Sequence, residues 1–304
     1  MERITWDRVM SELKAIDSKS EHITVKAVGR SYRGREIPMV SIGKGEKKVL
    51  YVGAHHGAEG ITSALLLEYI KEVCALLREG KRIGGVDREL FVNTRRVDIV
   101  PMLNPDGVEI SVRGVSRDDI MYDRLKRMNG GSEDFTSWQA NGRGVDLNHN
   151  YNDMFAYYKG IEREMGLFGG ARSKYSGEYP ESEPECAALC HYIRSERPRN
   201  IISLHTQGEE IYCESRGYAL EAARKNARLA SKLTGYRISC TEGTASMGGL
   251  LDWVTRECKI PCLTLECGRG KNPLPEDDAR RIYAVIRPLL MRAPVMFSTT
   301  TVKG

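Results

Sequence analysis

The chain has 304 residues, 41% of them hydrophobic and 29% charged, with a formal net charge of +5. That is ample material for a core, no run approaches the roughly 18 apolar residues of a membrane-crossing helix, and the basic residues are too dispersed to favour nucleic acid. Met1-Glu2-Arg3-Ile4-Thr5-Trp6-Asp7 shows no basic start followed by an apolar run, and eight scattered cysteines form no CxxC pair, so the expected location is cytoplasmic with reduced thiols.

Trp6, Val9, Met10, Leu13 and Ile16 predict an amphipathic first helix within residues 1–20. Residues 21–48 read as an edge hairpin: 23–29 alternates, Tyr32-Arg33-Gly34-Arg35-Glu36 turns, and 37–42 returns. Residues 49–54 form an apolar strand, and a helix follows over about 61–78. A strand over 95–103 is stopped by Asn104-Pro105-Asp106-Gly107, which reads as a turn. Residues 111–145 show little periodicity, and 160–183 is rich in Gly, Ser and Glu. Ser182-Glu183-Pro184-Glu185 reads as a capping box opening a helix that runs to about Glu196. Strands over 200–205, about 236–240 and 261–266 alternate with helices over about 218–234, 248–257 and 276–291. Such alternation predicts an α/β fold, three-layer α/β/α, with a central mixed, mostly parallel sheet and helices on both faces. The whole chain, 1–304, reads as a single catalytic domain.

Three of these strands end in chemically active residues. His56 and Glu59 follow the first, His205 closes the second, and Glu266 closes the third. Ligands in open α/β sheets bind beyond the carboxyl ends of strands. Two imidazoles and a carboxylate suit zinc, and a spare carboxylate completes the inventory for metal-assisted hydrolysis. Each residue alone is bland: a histidine at a strand end is most often simply hydrogen-bonded.

With these residues in view the sequence resembles the zinc carboxypeptidase family, from about Tyr32 to Pro275. His56-Gly57-Ala58-Glu59 is similar to its HxxE motif, with His55 an additional histidine. Asn104-Pro105-Asp106-Gly107, Gly144-Val145-Asp146-Leu147-Asn148, Ser203-Leu204-His205 and Leu263-Thr264-Leu265-Glu266 resemble its further motifs. The resemblance implies one zinc ion per chain held by His56, Glu59 and His205, with Glu266 as general base. It also implies an arginine at the oxyanion, for which Arg143 is the first choice and Arg127 the second. Trp138-Gln139-Ala140-Asn141, Ser182-Glu183-Pro184-Glu185 and 268–275 look most like bacterial γ-D-glutamyl-diamino acid peptidases. The implied partner is therefore a short peptide or muropeptide, with no nucleic acid or membrane partner expected.

The chain departs from the family pattern at one clamp position. Carboxypeptidases follow the GVDxN asparagine with arginine, whose fork grips a terminal carboxylate. Here Asn148 is followed by His149, whose ring offers no fork, which fits an endopeptidase-like cut or a ligand whose acidic group is held differently. Substrate contacts are expected from Asn148, His149, Thr244 and Leu251, with Leu250 and Leu251 giving an uncharged wall. A related deacylase acting on an N-acyl amino acid, or a non-catalytic peptide-binding homologue, are the competing readings.

Overall fold

The computed structural model describes residues 3–17, 21–240, 243 and 247–297. Eight strands form one sheet: β1 (Ile23–Arg30), β2 (Glu36–Ile42), β3 (Lys47–Val52), β4 (Arg95–Val100), β5 (Asn200–His205), β6 (Glu210–Tyr212), β7 (Arg237–Ile238) and β8 (Cys262–Glu266). Their spatial order is β1-β2-β4-β3-β5-β8-β6-β7. The middle strands β4, β3, β5 and β8 are mutually parallel. The expected hairpin β1–β2 lies antiparallel on one flank, and β6 lies antiparallel to β8 on the other. The mixed, mostly parallel sheet predicted from the alternation is the one observed.

The ten helices among the described residues are α1 (Trp6–Asp17), α2 (Ile61–Arg78), α3 (Arg88–Thr94), α4 (Pro105–Arg113), α5 (Tyr122–Met128), α6 (Phe155–Glu164), α7 (Pro184–Glu196), α8 (Glu221–Thr234), α9 (Leu250–Trp253) and α10 (Ala279–Met296). Strand residues alternate between two cores because successive side chains leave a strand on opposite faces. Val49, Tyr51, Ile202 and Leu204 pack with α1, α2, α8 and α10. Leu50, Val52 and Ile201 pack with α7 and α9. Both faces of the sheet are thus covered, which explains why the central strands read as unbroken apolar runs. The result is the three-layer α/β/α arrangement. Among the described residues no helix is long and apolar enough to cross a membrane.

Several local expectations need correction. Asn104-Pro105-Asp106-Gly107 is not a free turn but the start of α4: the Asn104 side chain accepts from the Gly107 N–H, and Pro105 takes the first helical position. There its missing N–H costs nothing. The stretch 111–145 holds α5, too short to show a period. The capping box at α7 does not form. Glu183 is the N-cap and makes no side-chain cap bond, while Glu185 turns away to accept from the Tyr32 backbone and the Asn141 amide. Ser182 donates instead to Glu183. Strand β6 escaped sequence reading because it has only three residues.

Candidate active site

The sheet gathers the reactive residues at one edge. β3 ends at Val52 and α2 begins at Ile61, so His55, His56 and Glu59 occupy the connecting loop. A 3-10 turn over Gly57–Glu59 brings Glu59 back beside His56, with Nδ1 and Oε1 2.9 Å apart. Thr62 secures the helix start: its hydroxyl donates to Glu59 O and accepts from the Ala54 N–H, both at 2.8 Å. Gly57 is required because this loop is pressed against its neighbours. A Cβ there would sit 2.3 Å from Gly107 O and 2.7 Å from Trp138 O. The Gly57 N–H donates to Gln139 O at 3.0 Å, which fastens the 138–140 segment to the loop.

β5 lies beside β3 and delivers His205, whose Nδ1 is 3.1 Å from Glu59 Oε2. The three donor atoms, from His56, Glu59 and His205, lie within 4.8 Å of one another. His205 and Glu266 are register partners on β5 and β8. The sheet therefore brings together all four residues singled out at the strand ends.

The surroundings favour a cation. His56 Nε2 lies 3.2 Å from Asp146 Oδ1, leaving Nδ1 on the Glu59 side. A carboxylate on the far nitrogen orients a metal-ligating imidazole and raises its basicity. Burial opposes charge on His56, but Glu59 and Asp146 raise its pKa well above the ordinary value. Burial would likewise raise Glu59, yet His56 and His205 hold it down at about 2. Two buried carboxylates thus draw positive charge to one point, and a divalent ion supplies it there. His55 belongs to the support instead. Its Nε2 meets Tyr151 OH at 3.0 Å, its ring stacks 5.1 Å from that of His205, and burial pushes its pKa well down. It is a neutral packing element.

A cavity of about 730 Å³ opens on these groups. His56, His205 and Glu266 line it together with Gln139, Asp146, Asn148, His149, Lys174, Glu210, Tyr212, Arg237, Leu251 and Asp252. Burial, with further push from Glu59 and Glu210, raises Glu266 to about 8. Asn148 spends its carbonyl oxygen on the Leu250 N–H, 3.1 Å away. His149 donates from Nδ1 to Met247 O at 2.8 Å and stacks on Tyr158, ring centres 4.4 Å apart. Its other nitrogen, Nε2, is not engaged by that bond.

The sequence pattern of the zinc carboxypeptidase (peptidase M14) family matches residues 9–284. The chain belongs to the zinc carboxypeptidase family. Among its relatives, the γ-D-glutamyl-L-diamino acid endopeptidase 1 of Lysinibacillus sphaericus is 27% identical over 293 residues, covering 93% of this chain and 72% of that protein. An uncharacterized protein of Bacillus subtilis is 31% identical over 288 residues, covering 94% and 75%. Bovine thrombin-activatable fibrinolysis inhibitor, solved in complex with a tick carboxypeptidase inhibitor, superposes with a TM-score of 0.68 at 20% identity over 96% of both chains, which supports the fold. As a member of the zinc carboxypeptidase family the protein is a hydrolase, and the His-Glu-His set fits the family's metal in both donor type and convergence.

Not every expected residue reaches this zinc carboxypeptidase cavity. Arg143 forms an ion pair with buried Glu183, and its guanidinium lies 5.5 Å from the Tyr32 ring centre. Arg127 is exposed on α5. Neither lines the cavity, because the turn at Gly144 and the buried acid beside it direct Arg143 elsewhere. Thr244 lies outside the described residues. Leu250 is core, not cavity wall, while Leu251 does line it. The wall is not free of charge, since Asp252 follows Leu251 there, its pKa raised to about 6 chiefly by burial. Asp146 stood in a recognised motif without a role attached. Gln139 likewise lies within Trp138-Gln139-Ala140-Asn141. Lys174, Glu210, Tyr212 and Arg237 had no signal, since lone polar residues in irregular or very short elements have no period.

Proposed function

We propose that the chain, acting as one catalytic domain over 1–304, hydrolyses the bond between D-glutamate and a diamino acid in a muropeptide. The observation that carries hydrolysis is the placement of Glu266 in register with His205 beside the converging His56, Glu59 and His205. The substrate class rests on the relative from Lysinibacillus sphaericus, which aligns over 93% of this chain.

In this reading His56 and His205 through Nδ1 and Glu59 through its carboxylate hold one zinc ion. When bound, zinc supplies Lewis acidity that polarises the scissile carbonyl and lowers the pKa of water toward about 7. Glu266, which the positive charge of a cation held beside it would keep ionised against its burial, takes a proton from the attacking water and returns it to the leaving amine, so no net proton is consumed at the carboxyl. Asp146 keeps the His56 ring oriented through Nε2. In place of Arg143, Gln139 serves the developing oxyanion. Gln139 lines the cavity, and its main chain is tied to the ligand loop at Gly57. An amide is a neutral donor suited to this task. Asn148, His149 and Leu251 border the bound peptide. A cytoplasmic location belongs to this reading, in keeping with the scattered cysteines of the sequence.

The test is cleavage of a γ-D-glutamyl-L-diamino acid peptide, followed by mass spectrometry, with an N-acyl amino acid as comparison. Zinc-dependent cleavage of the peptide bond is expected. Turnover of the N-acyl amino acid alone points to a deacylase, and zinc binding without turnover of either points to a binding homologue. Glu266→Gln should retain zinc and lose turnover by a factor on the order of 10² or more; wild-type turnover in that variant removes Glu266 from the mechanism.

A further inference from the structure

Lys174 stands in a left-handed backbone conformation, φ 65°. A residue with a Cβ pays for that conformation, and it persists where the surroundings hold it. The holding groups here belong to the site. The Lys174 N–H donates to Asp146 Oδ2 at 2.8 Å, and Asp146 Oδ1 is the group beside His56. The Lys174 carbonyl accepts from Tyr158 OH at 2.9 Å, and Tyr158 is the ring on which His149 stacks. The peptide of Lys174 is therefore coupled at one end to a metal-ligand orienter and at the other to the residue standing at the altered clamp position.

The charge of this lysine is also unspent. The other fully cationic side chain lining the cavity, Arg237, is ion-paired with Glu210. Among the described residues Lys174 has no ion pair and no side-chain hydrogen bond. An exposed ammonium at a cavity mouth is poorly suited to oxyanion stabilisation, which needs a water-excluded donor. It is suited to holding a group that is already anionic in the ground state, as a point charge with three rotatable donors.

We propose that Lys174 is a specificity-determining residue that binds a substrate carboxylate, replacing part of the clamp lost where His149 stands. This rests on the proposed muropeptide reading. A γ-linked glutamyl residue leaves its own α-carboxylate free, and the diamino acid brings a second. Both sources present the same chemistry to an ammonium.

The experiment uses zinc-loaded Glu266→Gln protein, in which bound peptide stays intact, with calorimetric titration of a γ-D-glutamyl-L-diamino acid peptide. Three forms are compared: both carboxylates free, the glutamyl one amidated, and the diamino acid one amidated. Adding Lys174→Met should weaken binding of the free form about fivefold, the scale of an exposed charge pair. It should leave one amidated form unchanged, and that form identifies the carboxylate. Adding Lys174→Arg should restore most of the affinity, and the salt dependence of binding should shrink only in the methionine variant. If the free form binds and Lys174→Met changes all three forms equally or none, the anchor is overturned while the substrate class stands. If none of the three binds the Lys174-bearing protein, the muropeptide reading fails and the anchor falls with it.

Discussion

Glu59 shows what a single residue contributes. Its carboxylate meets both imidazoles and receives the Thr206 N–H at 3.3 Å, and the residue closes the turn that leads into α2. Buried carboxylates are rare unless paired, and this one is paired on every side. Arg143 is ion-paired in the same way, with buried Glu183, and does not line the cavity. Among the described residues no carboxylate is hydrogen-bonded to the Gln139 side chain, and Gln139 lines the cavity. Gln139→Ala is expected to lower kcat by roughly 10² with little change in KM, since the interaction is made in the transition state. Steady-state kinetics on the peptide substrate check this, and an unchanged kcat excludes the amide from that role.

At the scale of elements, the site depends on α4 as much as on the sheet. Asn104 is fully buried. Its side chain accepts from Gly107 N–H at 2.8 Å and donates to His55 O at 2.9 Å, so it caps the helix and pins the ligand loop together. Asn104→Ala removes the cap and leaves buried backbone groups unpaired, a cost of roughly 2 kcal/mol or more. A urea unfolding midpoint close to wild type would contradict this account of the loop. The central strands and the long helices α2, α8 and α10 were legible in the sequence because amphipathic or unbroken apolar patterns are enforced by burial. The ligands were legible because strand ends put them there. The cap at Asn104 was misread as a turn, since Asn-Pro-Asp-Gly favours both and only the helix behind it decides. Lys174 and Glu210 were illegible for a different reason. Their placement comes from contacts distant in sequence, such as Asp146 to Lys174 and β6 against β8.

Across the whole molecule, the three layers hold ionisable groups that do not line the cavity, and these contribute to the pH dependence of stability. Glu185 is fully buried at the start of α7, and burial pushes its pKa up to about 8. The folded state therefore holds this proton more tightly than the unfolded chain, whose carboxyl titrates near the ordinary value of about 4.3. The group's contribution to stability is greatest below that value and is lost as pH rises through about 8. Glu185→Gln carries no such titration. The difference in melting temperature, variant minus wild type, is expected to become more positive between about pH 5 and pH 8.5. A difference that stays constant or falls across that window contradicts a protonated Glu185.

The same layered packing is what brings His56, Glu59 and His205 to one point, and that convergence is most directly tested by a crystal structure of zinc-loaded protein with anomalous diffraction at the zinc edge. One peak per chain is expected, about 2.0–2.2 Å from His56 Nδ1, His205 Nδ1 and a Glu59 oxygen. A peak bound elsewhere, or no peak in protein that otherwise diffracts as folded, would contradict the account.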